Sequence, residues 1–99
     1  MITVVKKGVH KPTDHDIYIG RGSPLGNPEP ITATTTREQA IAFYKTYLVK
    51  RLAEKYPPIC REMNRIYKNA KTGDVNLVCF CKPQNCHGDF IKQLIEEKL

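Results

Sequence analysis

Ninety-nine residues, 40% apolar and 26% charged, fit one soluble domain (1–99) and exclude a disordered chain. No apolar run approaches the about 18 residues of a membrane span, and ITVV (2–5) is too short for the core of a signal peptide; the expectation is a cytoplasmic protein with no membrane partner. The net charge of +6 favours phosphate groups, nucleic acid or acidic proteins as partners, although the basic residues are scattered rather than massed.

ITVV (2–5) and DIYIG (16–20) are β-branched runs that read as strands, separated by the polar turn GVHKPTDH. From Gly20 to Thr36 the chain is irregular, GRGSPLGNPEPITATTT, and connections of this length are usually functional or mobile. A helix follows. Thr36 caps it, Gln39 completes a capping box, and Ala40, Ile41, Tyr44, Tyr47, Leu48 and Leu52 recur at helical spacing. Pro57 and Pro58 end that helix and suit the first turn of the next. Ile59, Met63, Ile66 and Tyr67 form its inner stripe, and Arg61, Arg65 and Lys68 a basic stripe on another face. KNAKTGD (68–74) reads as a turn. VNLVCFC (75–81) is the strongest strand, with Val75, Leu77, Cys79 and Cys81 on one face and Val78 and Phe80 on the other, which predicts a central strand buried on both sides. KPQN breaks it, and a last helix runs from about Cys86 to Lys98 with Phe90, Ile91, Leu94, Ile95 and Leu99 inside. The order predicts an α/β domain with a small, mostly parallel sheet.

Strand–loop–helix units aim their loops at the carboxyl edge of a sheet, where open α/β sheets bind ligands. Two loops qualify. In IGRGSPLGNP, Gly20, Gly22 and Gly26 let backbone N–H groups approach an anion, Arg21 supplies a bidentate fork, and Ser23 and Asn27 add hydrogen-bonding tips. The pattern matches neither the phosphate loop nor the dinucleotide fingerprint, so no cofactor is expected. The second loop is CFCKPQNCHGD. Cys79, Cys81, Cys86 and His87 would make a tetrahedral set, but the C-x-C-x4-C-H spacing is unlike that of known structural zinc sites. Cys79 and Cys81, about 6.7 Å apart on one strand face, suit packing better. Metal binding is therefore not expected, and a small zinc protein is the third-ranked reading. Cys86 falls at a helix N-terminus, where the dipole favours a thiolate, with His87 and Asp89 in the same turn. His87 is the acid–base candidate, Asp89 would orient it or touch a ribose hydroxyl, and Cys86 is the candidate nucleophile. Cys60 reads as packing.

"YIGRGSPLGNP", "TREQAIAFYKTYL" and "LVCFCKPQNCHGDFI" together resemble a family of short phage and bacterial proteins of unknown function, with an IGR-x-SPLGNP entry and a C-x-C-K-P-x-x-C-H-G-D exit. Phe80 stands where that family carries tryptophan, Glu29 where it carries phenylalanine, and Lys55–Asp74 is longer than its usual stretch. The resemblance implies a compact α/β fold and a pocket built by the motifs, with Arg37 and Tyr44 near it, Tyr44 more as core. The exit motif is also similar to an α/β family in which a CHR triplet opens the helix. That similarity implies a small Rossmann-like domain of two or three layers. A phage origin would place the protein in the host cytoplasm.

The leading expectation is a domain that binds a phosphorylated or nucleotide-like ligand, with or without catalysis. Strands 16–20 and 75–81 should lie side by side, or nearly so, and parallel, so that Arg21 and Asn27 face His87 and Asp89 across one cleft, Arg21 and His87 within roughly 10 Å. The rival is a basic interaction module that meets a host protein or nucleic acid through Arg61, Arg65 and Lys68, although no recognised nucleic-acid motif is present.

Overall fold

The computed structural model of the chain describes residues 1–28, 32–80 and 86–99. Its elements run β1 (Ile2–Lys6), β2 (Asp16–Tyr18), α1 (Arg37–Ala53), α2 (Pro57–Thr72), β3 (Val75–Cys79) and α3 (His87–Glu96). β3 is last in sequence but central in space. The sheet order is β1-β3-β2, and β3 runs parallel to both neighbours. Leu77 faces Val4 on one side and Ile17 on the other. A parallel pair needs a long crossover, and α1 and α2 supply the one from β2 to β3. The architecture is α/β with an open parallel sheet. Among the described residues no helix is long and apolar enough to cross a membrane.

Local sequence explains the helix ends. Thr36 Oγ1 accepts the Gln39 N–H at 3.1 Å while Gln39 Oε1 accepts the Thr36 N–H at 2.8 Å, the expected reciprocal cap of α1. Ala40, Tyr44 and Leu48, spaced by four, are its buried stripe. α2 opens on Pro57 and buries Ile59, Met63 and Ile66. It also continues through residues 68–72, where a turn was expected. That stretch holds no glycine or proline, and Ala70 packs against the core, so the helix runs on until Gly73, whose N–H closes on Asn69 O at 3.1 Å.

A central β3 accounts for its apolar residues on both faces: Val75, Leu77, Val78 and Cys79 are all buried. Phe80 departs from that expectation, being 56% exposed. The pairing ends at Lys6↔Cys79 and Tyr18↔Val78, and among the described residues no strand extends beyond to cover its ring. Cys81, assigned to the same strand face as Cys79, lies outside the described residues, as do Glu29 and the KPQN break.

The first turn of α3 sits directly on the sheet. A Cβ on Gly88 would come within 2.7 Å of Ile19 Cδ1 and 3.0 Å of Val4 Cγ1, so glycine permits this approach. The contact fixes where α3 begins, and therefore where His87 and Cys86 lie.

Candidate functional site

Cys86 is the N-cap of α3. Its Sγ accepts the Gly88 N–H at 3.3 Å, and Asp89 Oδ2 accepts the Cys86 N–H at 3.2 Å. This is a capping box with sulfur in place of a hydroxyl, and it satisfies N–H groups that a helix start otherwise leaves open.

His87, only 7% exposed, faces inward. Its Nε2 lies 2.6 Å from Ile19 O, and a carbonyl can only accept, so Nε2 carries the hydrogen. In the neutral ring Nδ1 is then a bare acceptor, 3.5 Å from Cys86 Sγ. Burial depresses the His87 pKa below its ordinary value, and this outweighs the Ile19 hydrogen bond and the Asp89 charge, which both raise it. Asp89 therefore does not orient His87 by a hydrogen bond, as the sequence suggested. Both ring nitrogens face other atoms, and the Asp89 carboxylate acts on the ring only through its charge. Cys79 Sγ lies 2.8 Å from Cys86 Sγ, and both residues are buried.

Tyr44 joins this cluster to the glycine loop. Its ring meets His87 edge-on at 4.9 Å, and its hydroxyl donates to Leu25 O at 2.7 Å. Burial, with the neighbouring Tyr47 and Cys86, pushes the phenol pKa up and keeps it a donor. Tyr44 is fully buried, in keeping with a core role.

The glycine loop is built rather than loose. Ser23 donates to Gly20 O through its N–H (3.1 Å) and its Oγ (2.7 Å), and Gly26 N–H donates to Ser23 O at 3.1 Å. A Cβ on Gly26 would stand 2.6 Å from Gly20 O, so only glycine fits there. Asn27 Nδ2 donates to Ala40 O at 3.0 Å, tying the loop to α1. Leu25 is fully buried, which stabilises the loop by about 1.5–3 kcal/mol. Arg21 is exposed and has no hydrogen-bond or ion-pair partner among the described residues. With Gly22, Ser23, Gly26 and Asn27 it lines a depression of about 230 Å³. Arg37, half-buried, is the first residue of α1.

β2 and β3 are adjacent and parallel, as expected, and both deliver their loops to one edge. The loops are joined by the His87–Ile19 hydrogen bond. Arg21 and the α3 residues nevertheless border different depressions. Cys86 and Asp89 line a second one of about 340 Å³, together with Glu38, Lys45 and Phe90.

The same edge carries three residues that no sequence motif marks as part of a site. Lys7 Nζ stands 5.0 Å from the Tyr18 ring and 5.6 Å from the Phe80 ring, and the two rings meet edge-on at 6.2 Å. Each residue lies at or just past a strand's carboxyl end, a relation visible only once the register is known. Elsewhere, Arg61, Arg65 and Lys68 are exposed and line a depression of about 420 Å³ with Asn64 and Asn69 on α2. Among the described residues no group of three or more His, Cys, Asp or Glu is placed to hold a metal ion; Cys81 is not one of them.

No solved structure matches the chain. Among curated proteins it is 31% identical, over 83 residues, to an uncharacterized 12.4 kDa protein from the nrdA-td intergenic region of Enterobacteria phage T4. The alignment covers 84% of this chain and 69% of that protein. The model of a family described as a domain of unknown function, DUF4326, matches residues 2–97. With nearly its whole length matched, the chain belongs to the DUF4326 family.

Proposed function

We propose that the protein binds a small phosphorylated, nucleotide-like ligand at the carboxyl edge of its parallel sheet. The observation that carries this reading is the convergence of the β2 and β3 exits, joined by the His87–Ile19 hydrogen bond. Arg21, without a partner among the described residues, would take the anion, together with those backbone N–H groups of residues 20–27 that the loop's own turns, through Ser23 and Gly26, do not use. The exposed Phe80 ring, with Tyr18 and the Lys7 ammonium beside it, offers a stacking face and a second cation for a base or sugar phosphate. Arg37, at the start of α1, completes the ligand-binding set. Cys86, His87 and Asp89 are the acid–base and nucleophile set if a reaction follows binding, with His87 acting on the Cys86 thiol rather than on the ligand directly. The test is thermal shift and titration calorimetry with nucleoside mono-, di- and triphosphates and with inorganic phosphate. A phosphorylated compound should raise Tm, and Arg21→Ala should weaken its binding by about 10- to 150-fold, the loss of one charge-assisted contact of roughly 1.5–3 kcal/mol. No stabilisation by any of them, or undiminished binding by Arg21→Ala, overturns the reading.

A second reading rests on a separate observation, the gathering of Arg61, Arg65 and Lys68 around one depression of α2. That face suits a phosphate-rich or acidic macromolecule, such as a nucleic acid or a host protein, and its affinity would fall steeply with salt.

A further inference from the structure

We propose that Cys79 and Cys86 form a reversible disulfide driven by hydrogen peroxide, making the β3–α3 junction a thiol oxidation site. Their sulfurs lie 2.8 Å apart. An ordinary non-bonded contact between heavy atoms is about 3.5–4.0 Å and a disulfide bond about 2.05 Å, so the pair sits between the two. The chain holds both sulfurs there for independent reasons. Cys79 ends the central strand, and Cys86 caps a helix that is pressed onto the sheet at Gly88.

Two further features make this contact reactive. Both cysteines are buried, but Cys86 borders the cleft of about 340 Å³, which admits a small uncharged oxidant, and Cys79 does not. Cys86 is therefore the sulfur that peroxide reaches, and Cys79 the one that resolves it. His87 is the base. Its Nε2 hydrogen is engaged by Ile19 O, which leaves Nδ1 to accept the Cys86 thiol proton across 3.5 Å.

The steps balance. Cys86 sulfur attacks one peroxide oxygen as its proton passes to His87. The O–O bond breaks, one oxygen stays as the sulfenic S–OH, and the other leaves as water with the proton that His87 returns. Cys79 sulfur then attacks Cys86 sulfur. The S–S bond forms, the S–O bond breaks, and hydroxide departs as a second water with the Cys79 proton. Two thiols are oxidised by two electrons, and one peroxide is reduced to two waters.

The experiment treats the reduced full-length chain with hydrogen peroxide under native conditions, alkylates the remaining thiols and measures intact mass and linked peptides. The expected result is two alkyl groups instead of four on a chain that is otherwise about 2 Da lighter, a linkage between residues 79 and 86, and reversal by dithiothreitol. Cys86→Ser should abolish the linkage while keeping the cap, because serine is a strong N-cap residue. Cys79→Ala should leave Cys86 oxidised without a bridge, and Cys60→Ser should behave like the wild type. Circular dichroism of each variant verifies that it is folded. Four unmodified thiols after treatment, a bridge to Cys60 or Cys81 instead, or a bound zinc ion that shields the thiols would each overturn the proposal.

Discussion

The Tyr44 side chain connects two parts of the site. The ring packs against His87, and the hydroxyl holds the carbonyl of Leu25 in the glycine loop. Removing the hydroxyl leaves that carbonyl without its donor while the ring still fills its place. Tyr44→Phe should therefore destabilise the protein by about 1–2 kcal/mol, read from urea unfolding, and should increase amide exchange around Leu25 before the rest of the core opens. Unchanged stability would mean that the Leu25 carbonyl finds another donor at no cost. Nearby, His87 is held by Ile19 and Cys86 on its two nitrogens, so its tautomer is set by a backbone carbonyl rather than by a carboxylate.

The helices divide between holding the site and facing outward. α1 and α3 each begin in a capping box at the carboxyl edge, which satisfies N–H groups of their first turns. α2 turns the opposite kind of surface to solvent. Its Arg61, Arg65 and Lys68 are exposed, and among the described residues Arg65 alone of the three has an ion pair, with Glu62 at 2.7 Å. Exposed pairs of this kind contribute little, and alanine is the better helix former. Replacing all three with alanine should change stability by no more than about 0.5 kcal/mol. If α2 is an interaction face, the same variant should lose binding to a polyanion such as heparin or nucleic acid at low salt. Equal retention of variant and wild type would dismiss that face.

The pH dependence of the whole molecule reflects groups at opposite ends of the sheet. At the start of β2, Asp16 is pushed up by desolvation but pulled down further by the Thr13 N–H, His10, Asn76 and the Thr13 hydroxyl, and ends at about 2. Its pKa is thus lower folded than unfolded. The stability it contributes is complete above about pH 4 and is lost as pH falls toward about 2. His87 has the same sign in another window. Its depressed pKa means that the unfolded chain takes up a proton the fold excludes, so stability declines as pH drops below about 6.5. Urea unfolding across this range should show two separate declines, and Asp16→Asn should flatten the acidic one alone. A variant with the wild-type acid limb would remove Asp16 from the account.

The features legible from the residues alone are set by neighbours three or four positions apart along the chain. The Thr36–Gln39 box, the buried stripe through Ala40, Tyr44 and Leu48, the proline start of α2 and the helix start at Cys86 are all local patterns, and the structure has each of them. The apolar run at 75–79 also announced a central strand. The extent of α2 was less legible, because polar residues at 68–72 look like a turn until Ala70 is seen against the core. The remaining features follow from contacts between distant segments. Strand order and the end of the ladder left Phe80 exposed beside Lys7 and Tyr18. Asn27 carries the marks of a ligand contact in the sequence, yet its amide reaches α1. The His87–Ile19 bond joins positions 68 residues apart. Such contacts follow from how strands register and helices dock, and a local pattern does not encode the distance between two points that meet only when the chain closes on itself.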